Sequence, residues 1–431
     1  MILRLRALWS QMQSSFWFVP ALIVAGSLLV AVGLIYLEGD WTDGLAEWSP
    51  RLFGASADGS REMLGAIAAS MITVAGVVFS ITIVTLSLTS TQYSPRVLRN
   101  FMRDRPTQVV LGVFVGIFAY CLVVMRTVRG EDSIAFVPSL AVLGGLLYAL
   151  VGIALLIYYI HHVAQSIQAP AIMRRLASDT ARAIDELFPS GVGQSPEAVG
   201  ADRRIPSEWV TVRAEHSGYL TQLSGESLMD YAREESRVVW LCHQVGDFVS
   251  EGAPLVAISG HRPIKEDEAD RLRKCVMLGT MRTVDQDVRF GLSQLVDVAV
   301  RALSPGMNDV ATACMCVDRL GSLMARLASR FMPSPLRFEE DELRVIAPAP
   351  GFDDLLLLAF EPIVRHSRGE RHVLERVMDA LGTIGGATSD PQRRAALMRV
   401  VRELQLELQL IQPRARSREL RSRLRTLERS L

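Results

Sequence analysis

The side chains best suited to line a path for ions belong to one uncharged stretch, residues 63–95. If this stretch is helical, steps of three or four residues place small and hydroxyl-bearing side chains on one face. These are Thr73, Gly76, Ser80, Ser87 and Thr91. Uncharged polar side chains line the pores of some channels, whereas small residues and hydroxyls also serve close helix packing. The sequence therefore leaves two roles open for this face, pore lining and helix packing.

A second group of polar residues surrounds a predicted turn between two amphipathic helices, residues 283–303 and 310–329. Asn308 or Asp309 can cap the free N–H groups at the start of the second helix. Four aspartates lie in or near these helices, at Asp285, Asp287, Asp297 and Asp309. Asp285 and Asp297 are about three helical turns apart and need not converge. We expect helix capping and a buried polar network here, in preference to an ion or ligand site.

Signatures of catalysis and of metal binding are absent from the sequence. It has no H-E-x-x-H, no paired C-x-x-C and no glycine-rich phosphate loop. Cys314 and Cys316 are two residues apart, which places their thiols on different faces of a helix. We therefore expect no enzyme activity, no metal and no cofactor.

Charge is distributed unevenly along the chain of 431 residues, which has 46 basic and 46 acidic side chains. Residues 1–162 contain 19 charged side chains, whereas residues 163–431 contain 73. The first part is thus about half as charged as an ordinary soluble domain and the second part is typical of one. The zero net charge argues against a nucleic-acid partner, since such proteins carry a basic surplus.

Four apolar runs in the charge-poor part are long enough to cross a bilayer as helices. They cover residues 17–37, 63–88, 108–125 and 134–163. Arginine dominates the loop between the second and third runs, while acidic residues dominate residues 38–62. By the positive-inside rule, both termini face the cytoplasm of a bacterial inner membrane.

Residues 163–431 are predicted to form an α+β cytoplasmic region that follows the four-helix transmembrane region. The segment from Val245 to Leu255 resembles the turn of biotinyl and lipoyl carrier domains, but no lysine stands at the matching place. This implies a barrel-sandwich-like β element without a swinging cofactor. The expected domains are 1–163 (transmembrane), 164–206 (connecting helix and loop), 207–260 (β element), 261–330 (helical hairpin) and 331–431 (β-hairpin and C-terminal helices).

Two sequence pieces resemble a known family. The run from Arg301 to Asp309, Arg-Ala-Leu-Ser-Pro-Gly-Met-Asn-Asp, looks like the signature of the domain-of-unknown-function 2254 family of bacterial membrane proteins. The run Thr91 to Arg96 resembles that family's other recurring piece. The run that ends at Asp309 departs from the family at the next residue, Val310, where proline is expected. The resemblance implies a structural or ligand-binding role for Gln92, Ser94, Pro95, Arg96, Arg301, Ser304, Pro305, Gly306, Asn308 and Asp309. It implies a membrane architecture and no particular activity.

These features predict an oligomeric membrane protein with a channel-like pore. The second apolar helix would line the pore, and the cytoplasmic region would gate it or form a vestibule. The alternative is a non-conducting scaffold or sensor whose cytoplasmic region binds a partner or ligand. The expected partners are the lipid bilayer, further copies of the chain and ions.

Overall fold

The computed structural model describes residues 17–48, 56–92, 104–129, 136–166, 168–188, 205–410 and 414–431. Contacts between residues divide the chain into two compact units, Met1–Gln168 and Ala169–Leu431.

The first unit is a bundle of four described helices. They are α1 (Phe18–Trp48), α2 (Ala57–Gln92), α3 (Arg105–Thr127) and α4 (Ser139–Ser166). Each contains an apolar stretch of at least 20 residues, which is the length that a helix needs to cross a bilayer. The prediction of four apolar spans is therefore confirmed.

The fourth span begins later than the sequence predicts, at Ser139 rather than at residue 134. Phe136 and Arg129 exchange backbone hydrogen bonds of 2.9 and 3.1 Å, which makes an isolated antiparallel bridge. Pro138 directly precedes the helix and disfavours helical geometry for the residue before it. These local contacts hold residue 136 in extended geometry despite its hydrophobicity.

Helix α3 lies at the centre of the bundle because its glycines allow close approach. A Cβ atom added at Gly112 would lie 2.9 Å from the Pro20 Cα atom of α1. One added at Gly116 would lie 3.3 Å from the Ser27 Cβ atom. Small residues permit such contacts between membrane helices, where dispersion forces drive association. The Gly-x-x-x-Gly spacing of α3 is thus used for packing inside the protomer.

The second unit combines nine described helices with two β-sheets. Its helices are α5 (Ala169–Leu187), α6 (Gly225–Glu234), α7 (Glu266–Lys274), α8 (Val288–Ala302), α9 (Val310–Ala328), α10 (Phe352–His366), α11 (Arg371–Gly386), α12 (Pro391–Leu410) and α13 (Arg414–Ser430). Its strands are β1 (Trp209–Arg213), β2 (Gly218–Leu223), β3 (Val239–Leu241), β4 (Phe248–Val249), β5 (Pro254–Ser259), β6 (Val276–Gly279), β7 (Leu336–Glu339) and β8 (Glu342–Ile346).

The strands form a five-stranded sheet of order β1-β5-β3-β8-β7 and a three-stranded sheet of order β4-β2-β6. All pairs are antiparallel except β3 with β8. Val239, Val256 and Ile258 are fully buried in the core of these sheets, with Leu228 of α6 and Leu272 of α7. The described strands form two open sheets and no closed barrel.

The β region extends beyond residues 207–260, to which the sequence assigns it. Strand β6 pairs with β2, and strand β8 pairs with β3, so segments on both sides of the predicted helical hairpin complete the sheets. Strand pairing between distant segments leaves no local signal, because periodicity reports only which residues are buried. Helix α9 agrees with the predicted helix, whereas α8 begins at Val288 and not at residue 283, because Asp287 caps it there. Helix α5 packs against both.

We expect Gly112→Val to destabilise the bundle, whereas Gly26→Val leaves it almost unchanged. An added side chain at Gly112 meets the α1 backbone, but nothing lies within 4 Å of a Cβ atom at Gly26. Overpacking of a dense interior costs about 1–3 kcal/mol. The melting temperature of the purified protein in detergent measures the difference. Equal losses for the two variants would contradict the packing role of Gly112.

Candidate functional site

One side of α2 is buried inside its own bundle. Its members recur every three or four residues and are at most 8% exposed: Leu64, Ala68, Met71, Ala75 and Val78. They pack mainly against α3, and α2 also contacts α4. This face determines which residues of α2 are left to point away from the bundle.

The small and hydroxyl-bearing stripe predicted from the sequence lies on the opposite side of α2. We call this side the outward ridge, whose exposed members are Ala66, Ala69, Thr73, Gly76, Val77, Ser80, Val84 and Ser87. At 100° per residue, Thr73 and Ser80 point away from Ala75. A Cβ atom added at Gly76 would meet no atom within 4 Å. Within the described protomer, the stripe is therefore not used for helix packing.

The outward faces of the neighbouring helices have a different composition. Large aliphatic side chains dominate the exposed surfaces of α1 and α4, at Leu22, Leu29, Val30, Leu147, Leu150, Val151, Ile153, Ile157 and Ile160. Such surfaces suit contact with lipid tails. On α2, large side chains flank the ridge at Ile72, Phe79 and Ile83, and the ridge itself is mostly small or polar. The ridge thus differs from every other large exposed face of the described bundle.

Hydroxyls on the ridge side of α2 donate to the helix backbone. Thr73 Oγ1 donates to the Ala69 carbonyl oxygen at 2.8 Å, and Ser70 Oγ donates to the Ala66 carbonyl oxygen at 2.8 Å. Each hydroxyl proton is thereby satisfied, and each oxygen keeps lone pairs that can accept from water or coordinate a cation.

A buried tyrosine fixes the rotation of α2. The Tyr159 hydroxyl of α4 lies 3.1 Å from the Val78 carbonyl oxygen and 2.9 Å from Thr82 Oγ1. Tyr159 is only 2% exposed, so these bonds replace those that water would otherwise make. Thr82 is an inward-facing hydroxyl of α2, on the side opposite the ridge.

A carboxylate and an imidazole join the start of α3 to the end of α4. His162 Nε2 lies 2.9 Å from Asp104 Oδ2, which also accepts from Thr107 Oγ1 at 2.7 Å. The Tyr158 ring stacks on His162 at 5.9 Å between centroids. The sequence does not reveal this pair, because its members are 58 residues apart and neither belongs to a recognisable motif.

The structure describes only part of the family motif at residues 91–96. Thr91 and Gln92 are the last residues of α2, and their side chains lie outside the description. Ser94, Pro95 and Arg96 lie outside the described residues altogether. The structure therefore adds no contacts for this motif.

The family motif from Arg301 to Asp309 forms the turn between α8 and α9. Asp309 N donates to the Ala302 carbonyl oxygen at 2.8 Å, and Asn308 N donates to the Ser304 carbonyl oxygen at 2.9 Å. Asn308 has a φ of 47°, the left-handed region that asparagine tolerates better than most residues. Asp309 caps α9, since its Oδ1 accepts from Thr312 N at 3.0 Å.

Arg301 and Ser304 are partly buried in this turn, whereas Pro305 and Gly306 are exposed. Met307, at the same tip, is 43% exposed. The described atoms around the turn thus explain its backbone geometry and leave its tip available to solvent or a partner.

An ion pair between buried Asp287 and partly exposed Arg282 lies where the carrier-like β turn meets α8. Asp287 is 4% exposed, and its Oδ1 accepts from Phe290 N at 2.9 Å as the N-cap of α8. Its Oδ2 accepts from Arg282 Nε at 2.8 Å. Burial raises the pKa of Asp287, although Arg282 opposes this effect. Gly246 packs against the carboxylate with a φ of 96°, where a Cβ atom would collide with it.

Three exposed acidic side chains approach one another near α7, with ligand oxygens within 4.8 Å: Glu215, Glu266 and Asp270. Arg273 Nη1 already pairs with all three, at 3.0, 2.7 and 2.7 Å respectively. The guanidinium thus occupies the position that a cation would take.

Cys316 is fully buried beside Met173, and burial raises the pKa of its thiol, which disfavours the reactive thiolate.

Comparison with known proteins gives one family and several relatives. The family model described as "Predicted membrane protein (DUF2254)" matches residues 13–383. An uncharacterized protein of Mycobacterium tuberculosis is 35% identical over 412 residues, which cover 92% of this chain and 77% of that protein. An uncharacterized protein of Mycobacterium bovis matches with the same identity and coverage. No solved structure matches the chain significantly.

We expect Asp287→Ala to destabilise the second unit by about 1–3 kcal/mol, because α8 would lose its N-cap and the partly buried Arg282 would lose its partner. The double variant Asp287→Ala/Arg282→Leu should recover part of this loss, since it buries no unpaired charge. Hydrogen–deuterium exchange of the α8 amides in the full-length protein measures both effects. A double variant as unstable as the sum of the two single variants would show that the ion pair is not coupled.

Proposed function

Since the chain belongs to the DUF2254 family of predicted membrane proteins, we propose that it forms an oligomeric, channel-like pore in a bilayer. In this proposal, copies of the chain surround a central axis and each contributes the outward ridge of α2. Ions would pass along the ridge in contact with hydroxyl oxygens.

The observation that carries the proposal is the composition of the ridge. A helix face that contacts only lipid gains nothing from glycine, threonine and serine, whereas α1 and α4 show the aliphatic surface that lipid favours. Small side chains leave room around an axis, and hydroxyl oxygens can replace part of the water around an ion. The ridge meets both needs without any charge between Met63 and Leu88.

The arrangement of the rest of the chain follows from its arginines. We place both termini in the cytoplasm of a bacterial cell, with α2 crossing the inner membrane. The second unit would then form a cytoplasmic gate or vestibule. We assign it no catalytic role, because Asp287, Asp309 and Asp270 are engaged in caps and ion pairs rather than in a nucleophile–base arrangement.

A second candidate is a non-conducting scaffold or sensor, and one observation favours it. Trp240 is 40% exposed on the five-stranded sheet and packs edge-to-face on Trp209, with 5.4 Å between ring centroids. Exposed aromatic side chains are enriched where proteins bind one another. In this alternative, the sheet would bind a partner, and the ridge of α2 would pack against a second copy without a pore.

The hydration of the ridge separates the two candidates. We expect Thr73→Cys, Ser80→Cys and Ser87→Cys to react with a small water-soluble thiol reagent at least about tenfold faster than cysteines facing lipid, because only hydrated thiols ionise readily. Matched controls are Leu147→Cys, Val151→Cys and Ile157→Cys, which lie on the exposed face of α4. Neither α2 nor α4 contains a native cysteine, so mass spectrometry of their peptides reports the modification directly. Equal protection of both sets would reject a hydrated ridge.

Planar-bilayer recording tests conduction itself. The purified protein should show discrete current steps, and Ser80→Leu should reduce their size at least about twofold, because a larger apolar side chain narrows and dries the path. Val151→Leu, on the exposed face of α4, should leave the steps unchanged. Absence of current in the wild-type protein across voltage, membrane tension and ion type would favour the scaffold.

A further inference from the structure

The C-terminal helix α13 has one apolar side and one cationic side. Leu420, Leu424 and Leu427 are at most 8% exposed and attach the helix to its unit. Arg418, Arg425 and Arg429 are exposed, and their spacing places them on the opposite side with Ser422 between them. We call this side the arginine ridge of α13.

Other arginines of the C-terminal helices have partners within the protein. Arg423 pairs with Asp379 at 2.7 Å, and Arg371 pairs with Glu419 at 2.6 Å. Arg421 Nη2 donates to the Leu408 carbonyl oxygen at 3.1 Å. These arginines stabilise the contacts of α13 with α11 and α12.

The arginine ridge differs from them because its members make no ion pair with any residue that the structure describes. Three positive charges therefore occupy one exposed line about 16 Å long, at 1.5 Å per residue. The acidic residues of α13 that are described, Glu419 and Glu428, are engaged with Arg371 and Gln405. The ridge contributes to the fold neither through burial nor through pairing.

We propose that the arginine ridge of α13 docks on an anionic lipid surface. Clustered arginines are attracted to the acidic headgroups of the cytoplasmic leaflet, and arginine forms paired hydrogen bonds with phosphate. The same chain carries four apolar helices, so a bilayer is tethered to α13 and its effective concentration is high. The proposal rests on the cytoplasmic placement of the second unit given under Proposed function.

The chemistry of the ridge specifies a peripheral contact. It offers Ser422 and three guanidinium groups but no exposed leucine, so it has nothing to insert among lipid tails. The interaction should therefore weaken as salt screens the charges, with a screening length of about 10 Å at 0.1 M salt and about 3 Å at 1 M.

Photocrosslinking from Ser422 tests the proposal on the full-length protein. A benzophenone amino acid replaces Ser422, and the protein is reconstituted in nanodiscs of phosphatidylcholine alone or with one quarter phosphatidylglycerol. We expect phosphatidylglycerol adducts by mass spectrometry at 50 mM salt and their loss at 1 M salt. The triple variant Arg418→Gln/Arg425→Gln/Arg429→Gln should lower adduct yield at least about fivefold, since each arginine contributes to the attraction.

The matched control removes three exposed arginines from other elements, as Arg262→Gln/Arg319→Gln/Arg402→Gln, and should keep the adducts. A melting temperature equal to that of the wild type shows that both triple variants are folded. Equal adducts in the two lipid compositions, no adducts, or crosslinks mainly to a second copy would each overturn lipid docking. The readout requires no ionic current, so a protein that fails to conduct can still pass or fail this test.

Discussion

The bonds between the Tyr159 hydroxyl, the Val78 carbonyl and the Thr82 hydroxyl set the rotation of α2 in its bundle. In hydrocarbon, a buried hydroxyl must find a partner inside the protein, so these polar contacts resist rotation more specifically than aliphatic packing does. Once Thr82 points inward, Thr73, Gly76, Ser80 and Ser87 must point outward. The exposure of the ridge is thus a consequence of inward-facing contacts several residues away.

Glycine has two different uses in the membrane unit. Gly112 and Gly116 of α3 meet α1 so closely that no side chain fits, and Gly145 of α4 lies against Leu64 of α2. Gly76 of α2 faces open space. Packing within the protomer therefore explains the first group and leaves the second unexplained. Gly26 and Gly33 of α1 also meet no atom within 4 Å, so it is the hydroxyls beside Gly76, more than the glycine itself, that motivate the proposed oligomer.

Local pattern predicts the helices well, since the apolar lengths of α1–α4 and the capped start of α9 are sequence features. The direction in which the α2 stripe points was not predictable, because small residues suit both packing and pore lining. The sequence also does not predict the contact between Asp104 and His162 or the parallel pairing of β3 with β8. They join segments that are distant in sequence and depend on how whole elements pack. The carrier-like turn around Gly246 was recognised, but its buried partner Asp287 was placed only by the structure.

The most recognisable sequence motif and the best candidate for function lie in different units. The run from Arg301 to Asp309 provides a left-handed residue, backbone hydrogen bonds and a cap, all of which a tight turn between two buried helices requires. Such demands restrict residue identity strongly, so the motif is distinctive even if it binds nothing. The ridge of α2 requires only that side chains be small or hydroxylated, which many sequences satisfy. Recognition of the family therefore identifies the fold more readily than the surface through which it acts.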